Sequence, residues 1–172
     1  MNFFSGFSLF GEASIFRDYI KESDFSVSGF SLGAIEAFEY VLNTKKRVDT
    51  LVLFSPAFFQ DRDEKFRRLQ SISYKKDPKS YQEQFLKNIA YPSNYDMSIF
   101  FKDSDIHLLH KLLNFTWERE KLNELRDRGV RIEVYLGERD KIINSKEAYN
   151  FFKNFATVYF IKGVGHTLHG ES

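Results

Sequence analysis

Gly29-Phe30-Ser31-Leu32-Gly33 places a serine between two glycines, each two residues away. A serine hydroxyl attacks an acyl carbon only when a base takes its proton and a third group holds that base in the right tautomer. Both partners follow later in the chain, in the order acid then histidine: Asp140 in "GERDKII" and His166 in "IKGVGHTLHG". The chemistry this set would perform is acyl transfer, with Ser31 as nucleophile, His166 as general base and Asp140 as the orienting acid. Its tetrahedral oxyanion needs at least two donors. One candidate is the backbone N–H of Leu32, directly after the serine. The other is the backbone N–H of Phe7 in "FFSGFSLFGE", where Gly6 leaves room for close approach. A serine at this place also reads as a plain helix N-cap, so geometry has to decide between the two.

Those residues must be positioned by the elements around them. Short apolar runs alternate with helical patterns, which predicts β-α units and a mostly parallel sheet of about five strands. Strands are expected at 2–5, in "FSVS" running into the glycine turn, at 50–55, in "VRIEVYLG" and in "ATVYFIKG". Helices are expected at 13–21, with Ile15, Phe16, Tyr19 and Ile20 on one face, in "LGAIEAFEYVLN", at 117–128, and at 145–154 from a Ser145 cap. Residues 58–114 are charged, helical in pattern and divided by Pro78 and Pro92, and read as a helical cap insertion in a single domain spanning 1–172. Ser31 then falls at a strand-to-helix turn, and Asp140 and His166 each follow the end of a strand. Ligand sites of open α/β sheets lie at such strand ends.

Composition narrows the function classes. The 172 residues carry a formal net charge of +1, so no global field draws in nucleic acid or an anionic membrane. Cysteine is absent, which excludes disulfides and thiolate chemistry. No apolar run approaches the ~20 residues of a membrane-spanning helix, and the first sixteen residues lack the basic and continuous apolar regions of a secretory leader. A cytoplasmic, soluble monomer without cofactor is the expectation. A metal site is the rival reading: His107 and His110 share a helix face and His166 and His169 form a second pair, but no HExxH-type pattern accompanies them.

The elbow "SGFSLGA", the opening "FFSGFS", the acid in "LGERD" and the histidine in "GVGH" resemble the α/β-hydrolases. The compact length and the early "FSGF" resemble more specifically the pimeloyl-acyl carrier protein methyl ester esterases of the BioV type. That resemblance implies a compact α/β-hydrolase fold and hydrolysis of the terminal methyl ester of pimeloyl-acyl carrier protein, releasing methanol in the synthesis of the biotin precursor. It puts the catalytic roles on Ser31, Asp140 and His166. The chain departs from the wider fold in lacking the additional first strands, which leaves its own first strand nearer a sheet edge, and in carrying Ser5-Gly6 where many members carry His-Gly.

An extended acyl chain needs an apolar channel, for which Phe58, Phe59, Phe85 and Leu86 are candidates. Acyl carrier proteins are acidic, so Arg62, Lys65, Arg67, Arg68, Lys75, Lys76 and Lys79 are candidates for a partner surface, interleaved with Asp61, Asp63, Glu64 and Asp77. An acyl thioesterase, a small-ester hydrolase and a non-catalytic carrier-binding module use the same features and stay open.

Overall fold

The computed structural model describes residues 2–20 and 23–171. Five strands, β1 (Asn2–Phe4), β2 (Ser26–Phe30), β3 (Thr50–Phe54), β4 (Arg131–Gly137) and β5 (Thr157–Ile161), form one sheet. They lie in chain order β1-β2-β3-β4-β5, all parallel. Order and direction together bring every strand's C-terminal end to one rim. Among the described residues β1 lies at one edge of the sheet.

The register puts Phe30, Phe54 and Tyr135 side by side on one face. Phe16 covers Phe30 and Phe54 at ring distances of 4.8 and 4.5 Å, and Tyr19 covers Tyr135 at 5.3 Å. The alternate residues Gly29, Leu51, Leu53, Val134 and Leu136 point to the other face, because side chains alternate along a strand. There α1 (Leu32–Asn43), α5 (Arg119–Asp127) and α6 (Ser145–Phe152) pack. The β1–β2 and β2–β3 connections thus cross opposite faces of three parallel strands in chain order, so they have opposite hands. The usual right-handed preference comes from packing a crossover helix on a twisted sheet. Among the described residues the first connection has no α-helix to impose it.

That missing helix corrects the expectation for 13–21. Glu12–Phe16 form a single 3-10 turn, and Lys21 lies outside the described residues. Helix α5 begins at Arg119 rather than 117, because Trp117 is drawn into the core. Its indole donates to the Ala57 carbonyl at 2.9 Å and its N–H to Gln60 at 2.8 Å. The cap of α6 is Asn144, whose side chain accepts from Glu147 N–H, not Ser145.

Between β3 and β4, ahead of α5, lie α2 (Glu64–Lys76), α3 (Pro78–Ala90), a 3-10 turn at Met97–Phe100 and α4 (Ile106–Asn114). Aspartates start all three helices: Asp63, Asp77 and Asp105 accept from free first-turn N–H groups. Pro78 occupies the first turn of α3, where its missing donor costs nothing.

Candidate active site

Ser31 sits on the turn from β2 to α1 at φ 54° and ψ −112°, and its side chain caps nothing. The N-cap reading therefore fails. The backbone is clamped instead: Ser31 N–H donates to the Phe54 carbonyl at 3.0 Å, and the Ser31 carbonyl accepts from Ala57 at 3.1 Å. Both flanking glycines are required by close approach, since a Cβ on Gly29 would overlap the Gly33 carbonyl and one on Gly33 the Phe4 carbonyl. The result is a strained turn that presents the hydroxyl beyond the end of β2.

Asp140 and His166 meet across the ends of β4 and β5. Asp140 Oδ2 lies 2.7 Å from His166 Nδ1, with both side chains fully buried. Asp140 Oδ1 accepts from Ile142 and Ile143 N–H at 2.7 and 3.1 Å, so the carboxyl is oriented from both sides. A carboxylate on Nδ1 places the ring proton there and leaves Nε2 as acceptor. Two other acids are engaged elsewhere: Glu138 is exposed and accepts from Gly163 N–H, and Asp61 pairs with Arg62.

The imidazole ring lies 5.0 Å from the ring of Phe30, the residue before the serine. No hydrogen bond joins His166 Nε2 to Ser31 Oγ, and each atom is buried without a partner. Catalytic hydrogen bonds are often open without substrate, and buried unpaired polar atoms concentrate where function demands them. Backbone strain concentrates here too. Ser8, Ser31, Ser55 and Leu168 are the non-glycine residues at positive φ among those described. They stand in the Phe7 loop, the elbow, the end of β3 and the His166 loop.

Ser55 is a site residue that the sequence reading missed. Its hydroxyl donates to the His166 carbonyl at 2.7 Å, and its N–H donates to the Tyr135 carbonyl at 2.8 Å. It pins the histidine loop to the centre of the sheet. Its only sequence signal is its place before Pro56 at a strand end. Gly165 completes the loop, because any Cβ there would overlap the Tyr91 carbonyl of the insertion.

Phe7 is buried in the loop after β1, with its ring edge-on to Phe85 at 5.3 Å. Among the described residues, neither the Phe7 nor the Leu32 N–H donates to another protein group. Phe85, Phe59, Phe66, Leu112, Leu113 and Ile142 line a cavity of about 190 Å³, with Arg62 and Lys141 also at its wall. Phe58 does not belong to it. That side chain packs on Phe151 and Phe152 of α6, because it follows β3 on the opposite side from Phe59.

The basic residues also separate. Arg67 turns inward and donates to the carbonyls of Phe59 and Arg62 at 3.2 and 3.1 Å, so it staples the start of the insertion rather than facing a partner. Arg68 is exposed, as are Lys65, Lys75, Lys76 and Lys79. Among the described residues, no three His, Asp or Glu side chains are placed to hold one metal ion.

Neither a protein-family model nor a curated protein sequence matches the chain. Solved structures do. A carboxylesterase of the thaumarchaeon Nitrososphaera gargenis aligns over 82% of this chain and 57% of its own, with 16% identity and a TM-score of 0.57. The esterase EaEST from Exiguobacterium antarcticum aligns over 90% and 63%, with 19% identity and a TM-score of 0.63. MenH from S. aureus aligns over 97% and 86%, with 12% identity and a TM-score of 0.52. The chain spans less than three fifths of the length of the first carboxylesterases and hydrolases it matches. At these identities the shared property is architecture: with its five-stranded parallel sheet flanked by helices, this chain has a compact α/β-hydrolase fold.

Proposed function

We propose that this chain is a serine carboxylesterase acting on the methyl ester of pimeloyl-acyl carrier protein. The observation that carries the esterase reading is Ser31 on its strained elbow, its side chain capping nothing, directly after Phe30, whose ring lies 5.0 Å from the imidazole that Asp140 holds at 2.7 Å. His166 Nε2 takes the Ser31 proton as Oγ attacks the ester carbon. Asp140 keeps the ring tautomer and stabilises the imidazolium, and the Leu32 and Phe7 N–H groups receive the oxyanion. Collapse of this intermediate sends the His166 proton to the departing methoxide. Water, deprotonated by the same nitrogen, then cleaves the acyl-enzyme.

Ser31 and His166 are 1% and 0% exposed. Phe85 and Tyr91 of the insertion lie against the Phe7 and His166 loops. Substrate therefore reaches the serine only when the insertion shifts. The cavity beside Phe85 and Ile142 has a mixed lining, in which Phe59, Phe66, Leu112 and Leu113 offer contact to an acyl chain and Arg62, Gln70, Asn88 and Lys141 offer polar groups. The outward side of α2 supports an acidic carrier: Lys65, Arg68, Leu69, Ile72, Lys75 and Lys76 recur at helical spacing, all exposed.

Mass spectrometry of the products from a methyl-ester acyl carrier substrate tests the reading. The expected outcome is loss of methanol with the thioester intact. Release of free carrier thiol would instead make the chain an acyl thioesterase, and carrier binding without turnover would make it a binding module.

A further inference from the structure

A carboxyl that the proposed reaction does not use is buried in the loop bearing Phe7. Glu12 is 0% exposed, and its Oε1 accepts from Gly6 N–H at 2.7 Å. Its other oxygen has no partner. An unpaired buried acceptor loses its water without a replacement partner, so the position needs a reason. Gly6 is the residue before Phe7, and it lies against the rings and side chains of Phe30 and Leu9.

The residue after Phe7 is anchored as well, from a different element. Ser8, held at φ 57°, donates its N–H to Ser104 Oγ at 3.0 Å and its hydroxyl to Gln82 Oε1 at 2.7 Å. Gln82 Oε1 also accepts from Ser104 N–H at 3.0 Å, and its Nε2 donates to Asp103 at 2.8 Å. Tyr74 closes the network by donating to the Ser104 carbonyl. The loop is thus fixed on both sides of Phe7, while the Phe7 N–H itself donates to no described group.

We infer that Glu12 and Gln82 are positioning residues that aim the Phe7 N–H at the oxyanion, one from within the loop and one from the helical insertion. The inference rests on the esterase reading above. It follows from what an oxyanion donor needs: a place 2.7–3.1 Å from where charge develops, fixed before the reaction. Glycine at 6 and a bare loop give no such fixity. Two buried acceptors, each taking a hydrogen bond from a residue next to Phe7, do. Because Gln82 belongs to α3, the insertion that covers the site also sets its electrostatics.

The test uses the full chain with Glu12→Gln, Glu12→Ala and Gln82→Met. The readouts are kcat and KM for p-nitrophenyl butyrate, Ki for an alkyl trifluoromethyl ketone, whose hemiketal mimics the oxyanion, and thermal midpoint. Deleting an oxyanion donor costs ~100- to 1000-fold. Misplacing one should lower kcat in Glu12→Ala and Gln82→Met by roughly 10- to 100-fold, with the ketone weakened in parallel and KM little changed. Glu12→Gln keeps an acceptor for Gly6 and should retain most of kcat. Folded Glu12→Ala and Gln82→Met variants with kcat and Ki near wild type, or with a raised KM at constant kcat, overturn the inference. If Glu12→Ala does not fold, Gln82→Met and the Glu12→Gln rescue decide alone. A wild-type chain inactive on the ester and unlabelled at Ser31 by a fluorophosphonate would sink the esterase reading itself, whereas an active wild type with indifferent variants sinks only the anchoring.

Discussion

At Ser31 a single backbone conformation does two jobs. The positive φ lifts the hydroxyl out of the helix it would otherwise cap, and the strain is held by hydrogen bonds to β3 and the segment after it. Removing the hydroxyl leaves that frame intact, so Ser31→Ala should keep its thermal midpoint while losing turnover. Asp140→Asn keeps an oxygen for the Ile142 and Ile143 N–H groups but offers Nδ1 a donor, forcing the wrong tautomer. Its kcat should fall by ~10⁴ with little loss of stability, as measured by steady-state kinetics beside thermal melting. Glu12 titrates with the opposite sign to an ordinary carboxylate. Burial pushes its carboxyl above the usual value of 4.5, outweighing the hydrogen bond from Gly6. The folded state therefore binds this proton more readily than the unfolded chain. The corresponding stability is present below pH 4.5 and is lost as pH rises through the raised value. Glu12→Gln should flatten that part of the melting-temperature profile, and an unchanged profile would contradict the assignment.

Elements position these residues by tight approach. Gly29 and Gly33 let α1 dock on β2 and on the Phe4 carbonyl, so Gly29→Ala has to displace backbone. It should cost ~1–3 kcal/mol or more in denaturant melts, and it should slow turnover beyond what the stability loss explains. The strands, α1 and the two strand-end residues were legible in the sequence because apolar runs and glycines encode them locally. The segment 13–21 was not. Its apolar residues have helical spacing, yet Phe16 and Tyr19 serve the sheet face, and a 3-10 turn is enough to deliver them. Trp117 reads as the start of a helix but is claimed by the core. Ser55 and Gln82 gave no local signal because their partners are set by tertiary folding. Ser55 bonds a residue 111 positions away and Gln82 one 74 positions away. Arg67 looked like surface charge, and only the carbonyls it binds show otherwise.

The whole molecule has almost no net charge, so any attraction to an acidic carrier has to come from a local field such as that of α2. Exposed charges are screened within ~8–10 Å at physiological salt. KM for a carrier-linked ester should therefore rise with ionic strength while KM for a small free ester stays flat. Arg68→Glu should reproduce the high-salt behaviour without loss of stability, whereas Arg67→Glu should destabilise the fold by unstapling Phe59 and Arg62. Equal salt dependence for both esters would remove α2 from recognition. The central claim is that Ser31, His166 and Asp140 act as one unit, and intact-mass analysis after fluorophosphonate treatment tests it most directly. The account predicts a single adduct on Ser31 that forms orders of magnitude more slowly in His166→Ala and not at all in Ser31→Ala. An adduct that persists in Ser31→Ala, or forms at the wild-type rate without the imidazole, would contradict it.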